Sequence, residues 1–278
     1  MLQTQPARKK ALKNAIKALV GKESSAGRSL SVLPNDVFIT SYPKSGNTWT
    51  RFLTANLLWA DDSTDFINIE QRVPDIYKHG DTELLSFDQP RYLKSHEYFD
   101  PRYPKVVYIV RDPRSILVSY YNYEMRWATR FGPETSYYDF AKVFVSGELN
   151  AFGSWQQNVL SWLGVYRNNP ERLCYIRYED LLSNGQETLT RVSSFLGLDR
   201  SEAQIAHALK MSSFNRMKAL EKASDQDDKH WESAPKNKSI PFMRSGKSSE
   251  WKQVLNEKTL TLIEDSCGAL IEELGYAL

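Results

Sequence analysis

The chain has 278 residues, 41% of them hydrophobic and 25% charged, which are ordinary proportions for one folded domain. No run approaches the ~20 apolar residues that cross a bilayer, and no apolar segment near the start reads as a secretory signal. Two scattered cysteines, Cys174 and Cys267, offer neither a disulfide framework nor a zinc site and fit a reducing, cytoplasmic compartment. The net charge of +2 is unevenly spread. Residues 1–35 carry seven basic residues against Glu23 alone, so +6 sits on this extension and −4 on the remainder. A nucleic-acid-binding domain would place its basic stripe on the folded part, so no nucleic-acid partner is expected.

Within the extension, Ala11, Leu12, Ala15, Ile16, Leu19 and Val20 recur at helical spacing with lysines between them. A partly helical basic extension over 1–35 is therefore expected ahead of a single domain over 36–278. The first strand is expected at Val37–Ser41, followed by Tyr42-Pro43-Lys44-Ser45-Gly46-Asn47-Thr48-Trp49 and a helix over Thr48–Trp59. Strand, tight turn and helix in this order form either an ordinary connection of an α/β protein or an anion site. A glycine permits close backbone approach, and the first helical N–H groups have no partner within the helix. Lys44 adds a mobile charge at the mouth, and Trp49 adds a flat face for a base. The turn is not a nucleoside-triphosphate loop, because no lysine follows Gly46, and Gly246-Lys247-Ser248 fails the same pattern with Pro241 in the first glycine position.

Residues 61–88 hold eight acidic side chains and only Arg72 and Lys78 as strong bases, and read as a cover or solvated surface. A second strand, Tyr92–Ser95, delivers Lys94 and then His96 to one side of a sheet, a candidate charge stabiliser beside a candidate base. The third strand, Lys105–Val110, is apolar without alternation, as in strands covered on both faces. It ends in Arg111, and Pro113 suits the first turn of the helix expected over 113–126. Ser119, two turns into that helix, can look back at Arg111, and the two suit a second phosphate. Further helices are expected over 136–146, 154–167, 186–196, 201–210 and 258–274, with a fourth strand at Leu173–Tyr178. The polar stretch 224–249 reads as a second cover, and within it Phe242-Met243-Arg244-Ser245-Gly246-Lys247 can wrap an anion. Strands separated by helices predict an α/β fold, a three-layer αβα arrangement with a central parallel sheet and ligands at the carboxyl ends of its strands.

Together these passages resemble the sulfotransferase family that uses 3′-phosphoadenosine-5′-phosphosulfate, above all its cytosolic, small-molecule branch, over roughly residues 36–253. The resemblance implies that Lys44, Ser45, Gly46, Asn47, Thr48 and Trp49 form the P-loop-like 5′-phosphosulfate turn, with Asn47 where many members have threonine. It implies that Arg111, Ser119 and Arg244 hold the 3′-phosphate. Tyr178 would contact the nucleotide, and Ser212 and Phe214 would cover the adenine opposite Trp49. Phe242, Met243, Arg244, Ser245 and Gly246 would form the closing loop, with Arg-Ser-Gly where the family usually has Arg-Lys-Gly.

The implied reaction moves a sulfuryl group to a hydroxyl or amine of a small organic acceptor. His96 would act as general base, Lys44 and Lys94 would stabilise charge, and adenosine 3′,5′-bisphosphate would leave, with no metal. The acidic run 61–88 hints at a polar or cationic acceptor. The family's later Gly-Asp-Trp-Lys becomes Ser249-Glu250-Trp251-Lys252, and the stretch beyond lacks the dimerisation pattern of animal members, so no oligomeric state is carried over. Two rival readings are a nucleotide or small-molecule kinase, and a non-catalytic nucleotide sensor or lipid-surface protein using the basic extension.

Overall fold

The computed structural model describes residues 29–127, 130–224, 237 and 239–278. The helix expected over residues 7–20 of the basic extension, and residues 225–236 and 238 of the polar stretch 224–249, lie outside the described residues. Four strands, β1 (Val37–Ser41), β2 (Tyr92–Ser95), β3 (Lys105–Val110) and β4 (Leu173–Arg177), form one sheet in the order β2-β1-β3-β4. Every pairing is parallel, with Val37 opposite both Tyr92 and Lys105, and Val106 opposite Leu173. The connections run through α1 (Asn47–Leu58), α2 (Ile69–Arg72), α3 (Asp81–Leu84), α4 (Pro113–Trp127), α5 (Tyr137–Ser146) and α6 (Trp155–Asn168). After β4 come α7 (Tyr178–Ser183), α8 (Gly185–Leu196), α9 (Glu202–Met211), α10 (Phe214–Ser224), α11 (Trp251–Val254) and α12 (Glu257–Glu273).

Successive strand residues point to opposite faces, and here both faces are apolar. Phe38, Leu93, Val106, Tyr108 and Val110 join Leu117, Phe140, Trp162 and Ile271 in one core. Val37, Ile39, Val107, Ile109 and Ile176 join Phe52, Leu53, Leu189 and Ile205 in the other. Helices α4, α5, α6 and α12 therefore cover one face and α1, α8 and α9 the other, the expected three layers. Sequence-local signals set the helix ends. Ser154 with Gln157 and Ser201 with Gln204 form capping boxes at α6 and α9, while Gly147 and Gly197 close α5 and α8 in the left-handed conformation.

Two regions differ from expectation. Residues 61–88 are not a free acidic surface: Arg72 pairs with Asp62, Arg51 and Lys78 with Glu70, and Lys94 with Asp75. Helix α10 escaped the sequence pattern because its buried face consists of Met217, Glu221 and Ser224, correctly spaced but two-thirds polar.

At the amino end of the sheet, Arg91 is fully buried and holds Asp36 through Nε at 2.8 Å and Nη2 at 2.5 Å, with Leu84 and Ser31 carbonyls accepting two further protons. Removing one member of such a pair strands the other charge without solvent. Arg91→Leu should lose about 3–5 kcal/mol of stability. A chemical denaturation midpoint matching the parent protein would show that Asp36 finds another partner.

Candidate functional site

The chain runs β1 to β2 on one side and then crosses to β3 on the other, so a crevice opens beyond the carboxyl ends of β1 and β3. Its floor is the turn after β1. Lys44 and Gly46 both adopt the left-handed region, at φ 68° and 98°, and Gly46 stands as N-cap of α1. That helix has no side-chain cap and no acidic residue in its first turn, so its positive end is left for an anion. Ser45 Oγ is buried at the same place without a hydrogen-bond partner. Gly46 admits no substitute: a Cβ there would lie 2.5 Å from the Tyr178 ring.

Four cations face this turn. Lys44 is half-buried, with its ammonium 4.3 Å from the Tyr123 ring centroid and 4.8 Å from that of Phe242. Burial, with Arg111, Lys94 and Arg244 nearby and Glu124 as the opposing charge, lowers its pKa to about 7. Arg111 is buried at the end of β3. It donates to the carbonyls of Lys44 at 3.2 Å and Lys247 at 3.1 Å, lies 4.2 Å from the Tyr178 ring, and leaves Nε unpartnered. It does not pair with Asp112, which is taken by Arg114 at 2.9 Å. Arg244 forms a two-pronged pair with Glu250. Lys94, fourth of the set, is held by Asp75 at 2.6 Å.

His96 sits just beyond β2, half-buried, with its ring parallel to Tyr77 at 6.1 Å and tilted against Phe152 at 5.5 Å. Its Nδ1 lies 2.7 Å from the Ser41 carbonyl, which can only accept, so the proton is on Nδ1 and Nε2 keeps its lone pair. Tyr77 hydroxyl accepts the His96 N–H at 2.8 Å, and Asn158 donates to the His96 carbonyl at 3.1 Å. Burial, then Lys94 and more weakly Lys44, push the imidazole pKa down to about 3.

The adenine-facing group of the sequence reading is also assembled. Trp49 meets Tyr178 edge-on at 5.4 Å and donates its indole N–H to the Ser212 carbonyl at 2.9 Å. The closing loop reaches the same wall, because a Cβ on Gly246 would strike the Phe214 ring at 2.6 Å. Thr48 and Ser119 are half-buried on α1 and α4, and Met243 packs partly buried on the second core. Ser245 hydroxyl accepts the Lys247 N–H at 3.3 Å.

Two expected ligand groups point elsewhere. The Asn47 side-chain amide turns down into the sheet, donating to the Ile39 carbonyl at 3.0 Å and reaching Ser41 and Ser95, so it ties β1 to β2 while its Oδ1 stays buried without a partner. The Ser212 hydroxyl accepts from Asn56 at 2.9 Å, and its residue acts by fixing Trp49. Several residues went unnoticed in sequence. Glu221 accepts the backbone N–H groups of Phe242 at 2.6 Å and Met243 at 2.8 Å and so anchors the closing loop to α10. Ser115 donates to the Ser248 carbonyl at 2.6 Å, one helical turn nearer to Arg111 than Ser119. Among the described residues, no group of three or more His, Cys, Asp or Glu side chains is arranged to hold a metal ion.

A family model for the sulfotransferase domain matches residues 34–275. The chain is 28% identical to luciferin sulfotransferase of Photinus pyralis, covering 86% of this chain and 72% of that protein. It is 29% identical to sulfotransferase 1E1 of Cavia porcellus (83% and 80% covered) and 27% identical to cytosolic sulfotransferase 17 of Arabidopsis thaliana (83% and 72%). Among solved structures, a retinol dehydratase in complex with retinol and PAP is similar with a TM-score of 0.73 at 20% identity, over 90% of this chain and 84% of that one. Mouse sulfotransferase SULT7A1 complexed with PAP gives 0.68 at 23% identity, over 91% and 92%. These likenesses establish the all-parallel α/β fold.

The turn itself supplies a test. Gly46→Ala adds a methyl group into the Tyr178 ring on a backbone that disfavours side chains by roughly 1–2 kcal/mol. Binding of an adenine nucleotide, followed by calorimetry, should weaken at least tenfold, as ~1.4 kcal/mol implies. Unchanged affinity would mean that the turn and Tyr178 do not contact the ligand.

Proposed function

The chain belongs to the sulfotransferase family and transfers a sulfuryl group to small-molecule acceptors, and from that premise we propose which of its residues perform the transfer. The kinase reading has no support, since the first turn lacks a lysine after Gly46 and the family match is to sulfotransferases. The donor is 3′-phosphoadenosine-5′-phosphosulfate, leaving as adenosine 3′,5′-bisphosphate. One observation carries the assignment: Lys44, Lys94, Arg111 and Arg244 gather at an uncapped helix start, with buried Ser45 Oγ and Arg111 Nε unpartnered. This is a cradle for a polyanion with phosphate at two ends.

The nucleotide supplies an activated sulfuryl group on its 5′-phosphate. Ser45, Gly46 and the first N–H groups of α1 bind that phosphate, and Lys44 answers the negative charge that develops on it as the sulfuryl group departs. Arg111 and Ser119, joined by Arg244, hold the 3′-phosphate, while Trp49, Tyr178 and Phe214 confine the base. Lys94 supports the oxygens of the moving group. His96 takes the acceptor's proton at Nε2. Its proton-bearing Nδ1 is fixed on Ser41, and burial, aided by Lys94 and Lys44, lowers its pKa and so favours a neutral ring beforehand. As in phosphoryl transfer, positioning and charge do most of the work.

The acceptor is a small organic compound that offers a hydroxyl or amine and lies against aromatic rings. Tyr77 and Phe152 flank His96, and Tyr123 stands over Lys44. The case for a cationic acceptor is weaker than the count of acids implies, because three of the eight in 61–88, Asp62, Glu70 and Asp75, already face cations of this chain. The compartment is cytoplasmic on two grounds: Cys174 and Cys267 are free and buried, and one relative is named as cytosolic.

His96→Ala should lower turnover ~10²–10⁴-fold, the range of general-base contributions, while nucleotide affinity stays within a few-fold. Retained turnover would exclude His96 as the base. Lys44 gives a pH test with a defined sign. Bound phosphate favours the ammonium, so binding raises a pKa that is about 7 in the free site. Affinity for adenosine 3′,5′-bisphosphate should therefore fall as pH rises above about 7, with proton uptake seen as a buffer-dependent heat in calorimetry. Lys44→Met should flatten that slope; an identical slope in the variant would assign the proton elsewhere.

A further inference from the structure

The Lys94 ammonium is tethered. Residues 73–77 run beside β2, with Asp75 and Lys94 joined by a parallel bridge. Lys94 donates its N–H to the Pro74 carbonyl at 2.8 Å, and its own carbonyl accepts from Ile76 at 3.3 Å. This pairing brings the Asp75 carboxylate, 6% exposed, alongside the lysine, where Oδ2 meets Nζ at 2.6 Å. The other oxygen accepts the Tyr77 N–H at 3.1 Å, and the Asp75 N–H is given to Glu70 at 2.9 Å. Glu70 is paired at 3.1 Å with Arg51 of α1, whose guanidinium also donates to the Val73 carbonyl at 2.9 Å. The Asp75 backbone is thus fixed by Glu70 and its free carboxylate oxygen by the Tyr77 N–H, which leaves the other oxygen for Lys94.

An ammonium has three protons to give. Asp75 takes one and sets the direction of the other two, with the Tyr77 ring centroid 5.2 Å away as a wall. The charged and titratable groups facing Lys94 are Asp75 and Glu70 on one side and Arg51, Lys44 and His96 on the other. Without Asp75 the lysine would sit among like charges with Glu70 alone opposing them. It would then both swing and lose its proton more readily.

We propose that Asp75 is a positioning residue for sulfuryl transfer, holding Lys94 charged and aimed from the 73–77 edge of the sheet. The inference rests on the role given to Lys94 above. Asp75→Asn preserves size and the bond from Tyr77, and it should lower kcat about 10- to 100-fold. KM for the donor and affinity for adenosine 3′,5′-bisphosphate should stay within a few-fold, and Asp75→Glu should recover part of the rate. Lys94→Met should lower kcat alone, and adding Asp75→Asn to it should cost nothing more, because both changes remove one function. Normal kcat in Asp75→Asn beside an impaired Lys94→Met would overturn the inference and leave Lys94 in its role. A further rate loss in the double variant, accompanied by a lowered denaturation midpoint, would make Asp75 merely structural and also overturn it. Full activity in Lys94→Met would remove both.

Discussion

Positive charge answered only in part is the constraint on which this molecule depends. A buried ammonium or guanidinium is costly unless something compensates for lost water. The fold meets that demand with deliberately incomplete partners. Arg111 receives two backbone carbonyls and a tyrosine face, Lys44 receives aromatic rings, Lys94 one carboxylate and Arg244 another. The partnerships are graded, and the lysine with the weakest company is the one whose proton is held least firmly. The helix α1 adds a fixed partial charge of the same sign. A ligand bearing several negative charges therefore completes the structure as much as it occupies it.

Much of this was legible in the chain. The four strands are short apolar runs ending at breaks in pattern, and their carboxyl ends carry Lys44, His96 and Arg111 within a few residues, so placement followed from strand assignment alone. Side-chain direction was not legible. Asn47 lies in the middle of the phosphate turn by sequence, yet its amide is drawn under the loop by carbonyls of β1 and β2 that only pair in three dimensions. Ser212 likewise sits in a segment identified through resemblance, but its hydroxyl answers Asn56. Asp75 and Glu221 were hidden for a different reason. Each works through a contact between segments distant in sequence, and each sits where local pattern is uninformative: a short bridge in one case, a helix with a polar buried face in the other.

The supporting residues share a logic. Ser41 fixes the histidine tautomer, Ser212 fixes the indole of Trp49, Glu221 fixes the start of the closing loop, and Tyr77 hydroxyl holds the backbone of His96. Two of these four act through their own main-chain carbonyls and the other two grip main-chain N–H groups, so each contact has the backbone at one end. Pre-organisation of this kind limits the rearrangement required when a ligand arrives.

The ion pair of Arg91 and Asp36 lies at the opposite tip of the same two strands whose far ends lead to His96 and Lys44. β2 is four residues long, so one rigid rod of roughly 13 Å separates a purely architectural ion pair from the proposed base. Evolutionary drift can consequently retune robustness at one pole without touching selectivity at the other, and a laboratory seeking a hardier or differently selective catalyst can treat the two poles as independent dials.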